Sequence, residues 1–157
     1  MSDVLENGLH AFKALKEIPL PPQKLYAKGT LPPSETKFLT VIGSRKYSPY
    51  GKAVCEKLIR GLKNYPISIV SGLALGIDSI AHKAALEAHL HTIAFPGSGL
   101  NEDVLYPASN RNLAKEIVKK DGLLLSEFEP SFKATTWSFP KRNRLMAGIA
   151  DAVLVVE

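Results

Sequence analysis

At 157 residues the chain is long enough for one α/β domain around a buried sheet and too short for two of ordinary size. Apolar residues make up 45% and charged residues 22%, which excludes a wholly disordered protein. Twenty Lys and Arg against fifteen Asp and Glu leave a net charge of +5, a balance that favours polyanionic partners without requiring one. No apolar run approaches the roughly 18 residues of a membrane span. The opening MSDVLENGLH lacks the basic-then-apolar pattern of a secretory signal, so a cytoplasmic protein is expected. The single cysteine, Cys55, rules out an internal disulfide and a multi-cysteine metal site, and is read as a small buried apolar residue.

In chain order, residues 9 to 15 form a helix-like piece, followed by the proline-rich IPLPPQKLYAKGTLPPSE, which is read as an extended arm packed on the domain rather than a regular core element. From Phe38 short apolar runs, each ended by Gly or Ser, alternate with helical stretches. The runs are FLTVIGS (38 to 44), ISIVSGL (67 to 73), HTIAFPG (91 to 97), GLLLSEF (122 to 128) and DAVLVVE (151 to 157). Ser48 and Pro49 predict the start of a first helix with Val54, Leu58 and Leu62 along its apolar face. Asp78 is placed as the cap of a second, in which Ile80, Ala84, Ala85 and Ala88 recur at helical spacing and His82 and His89 share a face. Residues 112 to 120 and 142 to 149 give the third and fourth, with Phe139 extended just before the last. Strand–helix alternation of this kind predicts a three-layer α/β fold, a doubly wound and mostly parallel sheet. Such folds bind ligands outside the carboxyl ends of their strands.

Those ends carry Gly43, Ser44, Arg45 and Lys46; Ser71 and Gly72; Gly97, Ser98 and Gly99; and Ser126 with Glu127. Glycine lets backbone amides approach an anion, serine adds a hydroxyl donor, and a following helix N-terminus favours negative charge, so phosphate is the natural ligand class. Any one of these loops is as readily a tight turn; three at one edge weigh towards a site. The dinucleotide fingerprint G-x-G-x-x-G and the Walker pattern are both absent, which argues against NAD, FAD or ATP, and no cofactor is expected. The histidines show no H-E-x-x-H spacing, so no metal is expected either. Asp78, Glu102, Asp103, Glu127 and Glu129 lie near strand ends as candidate acids or bases, but a helix cap for Asp78 and an ion pair with Arg45 for Glu127 are the preferred accounts. The densest basic feature is SFPKRNRL, where Lys141, Arg142 and Arg144 follow Trp137 and Phe139. Cations interleaved with aromatic faces suit single-stranded nucleic acid, against the plainer reading of core aromatics under a solvated basic face.

Together PQKLYAKGTL, VIGSRKYSPYG, IVSGLALGIDSIAHKAAL, TIAFPGSGL with Tyr106, Pro107 and Asn110, LLLSEFEP and FPKRNRLMAGIADAVLVVE resemble the DprA/Smf family of DNA-processing proteins over about residues 16 to 157. The resemblance implies a Rossmann-like domain over residues 37 to 157, preceded by the arm of residues 1 to 36. It also implies a non-enzymatic protein that binds single-stranded DNA, dimerises, protects incoming DNA and helps to load a RecA-type recombinase in natural transformation. By the same resemblance Gly43, Ser44 and Arg45 match a first phosphate-contacting turn, Ser71 and Gly72 a second, and Phe139, Lys141, Arg142 and Arg144 the basic aromatic segment, with Asn143 orienting it. The sequence departs from the family in a short N-terminus and in stopping before a serine- and glycine-rich turn and further strands, so a fragment or a shortened form with an uncovered strand edge is expected. The rival reading is a nucleotide-binding or N-glycosidic-bond-cleaving enzyme of the lysine-decarboxylase-like phosphoribohydrolase type. That type carries P-G-G-x-G-T-x-x-E where this chain has PGSGLNED (96 to 103).

Overall fold

The computed structural model describes residues 8–157. Six strands, β1 (Tyr26–Gly29), β2 (Lys37–Gly43), β3 (Ile67–Ser71), β4 (His91–Ala94), β5 (Leu123–Ser126) and β6 (Ala152–Val156), form one sheet in the order β1-β5-β4-β3-β2-β6. All neighbours run parallel except β1, which lies antiparallel on β5. Helices α1 (Pro49–Arg60), α2 (Ile77–Glu87) and α3 (Arg111–Lys119) cover one face, and α4 (Ser138–Ile149) covers the other. The doubly wound sheet read from the sequence is therefore present. The chain builds outwards from β2 through β3 and β4 to β5, and α4 then carries it back to lay β6 on the far side of β2. That reversal opens a crevice at the strand ends beside β2.

Residues in β3 and β4 are almost wholly buried, as strands covered on both faces must be. Under α1 and α2 the core is Val41, Cys55, Ile59, Ile69, Ile77 and Ala81. Under α3 it is Leu113, Ala114 and Ile117 against Leu124. Beneath α4 it is Leu145, Met146 and Ile149 against Phe95, Leu125 and residues of the arm.

Five local readings are corrected. The arm does run extended, but Tyr26–Gly29 pairs along β5 as an edge strand, and Phe12, Leu15 and Leu25 are core residues. An edge strand tolerates nearby prolines because it needs partners on only one side. The helix-like piece is two short 3-10 turns, Gly8–His10 and Lys13–Lys16. The α1 cap is as expected, Ser48 Oγ accepting from the Gly51 N–H at 3.0 Å. Its buried face is instead Gly51, Cys55 and Ile59, one residue round from the predicted stripe, and Leu58 is exposed. His89 lies past the end of α2 with φ of 57°, exposed, while His82 is fully buried, so the two do not share a face. Finally, α4 starts at Ser138 rather than Arg142, taking Phe139 into the helix. Pro140 is accommodated there because first-turn amides have no intrahelical acceptor to lose.

Candidate nucleic-acid interface

At the carboxyl end of β2, Gly43 packs against the Val156 carbonyl of β6 and the side chain of Ile77. Ser44 closes the next turn on itself: its hydroxyl donates to the Lys46 carbonyl at 2.6 Å and accepts from the Lys46 N–H at 3.0 Å. This leaves Arg45 and Lys46 exposed at the rim. The Arg45 guanidinium lies 5.9 Å from the centroid of Phe139.

Ser71, at the end of β3, donates to the Val41 carbonyl at 2.7 Å and so ties β3 to β2. Gly72 follows, wedged between two buried charges. Its N–H donates to Asp78 Oδ2 at 3.0 Å and its carbonyl accepts from Arg142 Nη1 at 2.7 Å. A Cβ at this position would lie 2.7 Å from both groups, so the close approach demands glycine.

Asp78 is not the cap of α2. That helix is entered at Gly76, and the Asp78 carboxylate, in the first turn, reaches back to the Gly72 and Ala74 amides, the latter at 3.3 Å. It fastens the loop before the helix. Burial raises its carboxyl above the ordinary range, with the Ala74 amide and the Arg142 charge opposing.

The four polar residues of the basic segment take different places. Arg142 is 5% exposed and donates to the Gly72 and Phe95 carbonyls and, from Nε, to Asn143 Oδ1 at 2.9 Å. It braces the β3 and β4 ends from beneath the crevice. Burial lowers its pKa from the usual arginine range; Asp78 opposes this and Arg45 reinforces it. Arg144 forms a bidentate pair with Glu127 at 2.5 and 2.8 Å and donates to the Leu20 carbonyl at 3.0 Å, clipping the arm to α4 and the end of β5. The Glu127 pair expected with Arg45 does not form, because β4 and β3 stand between their strands. Lys141 is exposed, its Nζ 5.7 and 5.8 Å from the Trp137 and Phe128 ring centroids, and Asn143 is exposed at the crevice wall.

The third glycine-serine loop sits below the surface. Gly97, Ser98 and Gly99 are buried; Ser98 Oγ accepts from the Tyr106 N–H at 3.1 Å, and the Gly99 N–H donates to the Phe132 carbonyl at 2.9 Å. Gly97 makes room for an aromatic ring: a Cβ there would lie 2.5 Å from Phe139 Cδ1.

Phe139 is thus half-buried on Gly97, with the guanidiniums of Arg45 at 5.9 Å and Arg142 at 5.7 Å from its ring centroid. A cavity of about 370 Å³ runs from it along Gly43, Asp78, Asn143 and Met146, and a smaller one of about 30 Å³ continues past Leu75, Tyr106 and Pro107. Both include Arg45, Ala74 and Phe139. The Tyr106 ring lies 5.4 Å from that of Phe139 at 56°. Ala74, Leu75 and Tyr106 are cleft residues that were not expected; the Tyr106–Pro107 pair at the end of the PGSGL loop was the available signal for the last. Among the described residues, Arg45, Lys46 and Lys141 have no carboxylate at ion-pair distance. Glu102, from the PGSGLNED stretch, pairs with Lys115 and lines a separate groove beside α3.

Comparison with known proteins settles the family. Residues 10–157 match the sequence profile described as DNA recombination-mediator protein A. The chain belongs to this family. It is 43% identical to the DNA processing protein DprA of Streptococcus pneumoniae over 143 residues, covering 91% of this chain and 49% of that protein. Against the Smf proteins of Synechocystis and Escherichia coli the identities are 40% and 38%, over 92% and 87% of this chain and 37% and 36% of theirs. The chain therefore spans about half or less of the length of these relatives. The crystal structure of the pneumococcal DprA superposes with a TM-score of 0.83 over 92% of this chain and 50% of that one. DprA from Helicobacter pylori, described for its single-stranded DNA binding mode, superposes with a TM-score of 0.82 at 36% identity, over 99% of this chain and 68% of that one. Among the described residues no helix is long and apolar enough to cross a membrane.

Proposed function

We propose that the cleft at the ends of β2 and β3 binds single-stranded DNA, with Phe139 stacking one base while Arg45, Lys46 and Lys141 neutralise phosphates. The observation that carries this is the exposed Arg45 guanidinium set against the Phe139 ring at the mouth of a strand-end cleft, with no carboxylate among the described residues to pair it. A half-buried ring takes an unstacked base of any identity, whereas a duplex keeps its bases stacked inside. The family and the description of the H. pylori relative support the same reading. As a recombination mediator the chain would protect incoming DNA, act without catalysis of its own, and hand the strand to a RecA-type recombinase in natural transformation, as a homodimer. Those further roles rest on the family resemblance.

The test is a titration of labelled oligothymidylate against a duplex of equal length. Tighter binding of the single strand is expected, and equal or tighter duplex binding overturns the proposal. With about three phosphates neutralised, log affinity should fall with log salt at a slope of roughly −2, and Arg45→Ala should flatten it by about 0.7. An Arg45→Ala slope equal to that of the wild type would place the phosphate contacts elsewhere.

Phe139→Ala separates stacking from packing. A cost of about 1–3 kcal/mol in DNA affinity is expected for loss of one aromatic platform. Because the ring is only half-buried, the stability cost should fall below the ~3–5 kcal/mol of a fully buried Phe→Ala change. Unaltered affinity per folded molecule would remove the stacking role.

A further inference from the structure

We infer that Trp137 is a second stacking platform for the same strand, so that bases stack on both sides of the first turn of α4. The inference rests on the cleft reading above and adds a subsite outside the cleft.

Trp137 is 54% exposed, an unfavourable place for an indole unless something covers it. It is nevertheless fixed. Phe128 and Phe132 stack on each other with centroids 4.6 Å apart at 16°, and the indole meets both edge-on, 5.9 Å from Phe128 at 76° and 5.5 Å from Phe132 at 62°. Phe128 is itself buried, so this aromatic base is anchored in the domain. A ring held in this way has already lost most of its rotational freedom, and a base landing on it costs little further ordering. Lys141 Nζ, 5.7 Å from the indole centroid and free of any carboxylate among the described residues, supplies a cation beside the platform. The composition repeats that of the cleft, where Phe139 has Arg45 over its ring.

Trp137 and Phe139 lie two residues apart at the start of α4, a spacing that turns side chains away from each other. Phe139 faces Gly97 and the cleft, and Trp137 faces Phe128 and Phe132. A strand crossing this helix start therefore passes one platform, a stretch carrying Lys141, and the other. Glu129, exposed beside Phe128, has its carboxylate held by the Tyr26 hydroxyl at 2.7 Å. Apolar rings with one ammonium suit a nucleobase next to a phosphodiester better than an acidic protein segment, which needs several cations.

Trp137 is the chain's only tryptophan, so its emission reports this subsite alone. Oligothymidylate added to the wild-type protein should quench the emission in step with binding measured by anisotropy of a labelled oligomer, and thymidine monophosphate should not. Trp137→Ala should weaken oligothymidylate binding by about 5- to 150-fold, with Trp137→Phe restoring most of the loss. Circular dichroism confirms that each variant is folded, and Trp137→Phe, which keeps the aromatic cluster, serves if the alanine variant is not. Wild-type binding with unchanged emission, or Trp137→Ala binding as wild type while Phe139→Ala is impaired, overturns this inference alone. Absence of any single-strand binding by the wild type overturns the cleft reading and this inference with it.

Discussion

Arg142→Leu should destabilise the domain by about 3–5 kcal/mol, the cost of removing one partner from a buried charge arrangement and stranding the other. Against a total stability of about 5–15 kcal/mol this is a large share. The guanidinium holds the Gly72 and Phe95 carbonyls, one from each side of the β3–β4 pair, and its charge offsets the burial of Asp78. Leucine fills part of the space and satisfies neither carbonyl. The loss carries a pH signature that a packing defect lacks. Without the arginine the Asp78 carboxyl is raised further, so its folded-state pKa moves further above the unfolded one. A group shifted in that direction weakens the fold when ionised and ceases to do so as pH falls through the folded value. The variant's deficit should accordingly be largest at neutral pH and shrink in acid. Urea denaturation of both proteins across that range is the measurement. A fully stable Arg142→Leu protein that has lost DNA binding would make Arg142 a phosphate contact rather than a brace.

That distinction marks the boundary of what the sequence discloses. The order of β2 to β5 is readable because parallel strands buried on both faces appear as unbroken apolar runs such as ISIVS. The crevice then follows from chain order, since α4 must return across the sheet. Within KRNR the sequence offers interchangeable cations, and helix geometry separates them: Arg142 shares a face with Leu145, Met146 and Ile149 and is buried with them, while Lys141 and Asn143 face water. That face could have been found from the spacing of residues 142, 145, 146 and 149, had the helix been started at Ser138. The slip on α1 has another origin. Two apolar stripes, one through Val54 and Leu58 and one through Cys55 and Ile59, lie about 100° apart, and only the position of α2 decides which is buried. The Phe128, Phe132 and Trp137 cluster was hidden more deeply, because its members lie on a loop without periodic spacing and meet only through the chain's path after β5.

The stability of the domain should fall steeply below about pH 6.5 because of one residue, His82. Thr92 Oγ1 spends its proton on the Ile69 carbonyl at 2.8 Å, so at 2.8 Å from His82 Nδ1 it can only accept, and the network assigns the ring proton to Nδ1. Nε2 is left buried without a hydrogen-bond partner among the described residues. Burial brings the pKa of the ring down from 6.5 to about 3, opposed only by the Ser71 backbone. The sign follows from that direction. Between those two values the unfolded chain takes up a proton that the folded one refuses, so stability present above 6.5 is lost as pH falls, at about 1.4 kcal/mol per pH unit and on the order of 5 kcal/mol over the whole window. Four other groups among the described residues titrate differently in the fold at acid pH. His91, lowered by burial, and Glu102 and Glu157, lowered by Lys115 and by Ser48, add losses of the same sign, and Asp78, raised by burial, works against them. Comparison with His82→Asn isolates the single contribution, since the other groups are common to both proteins and asparagine can still donate to Thr92. Unfolding free energies measured between pH 6 and pH 4 should converge by about 1.4 kcal/mol per pH unit, the wild type losing more. Parallel pH profiles for the two proteins would mean that the imidazole takes up a proton inside the fold as readily as outside it.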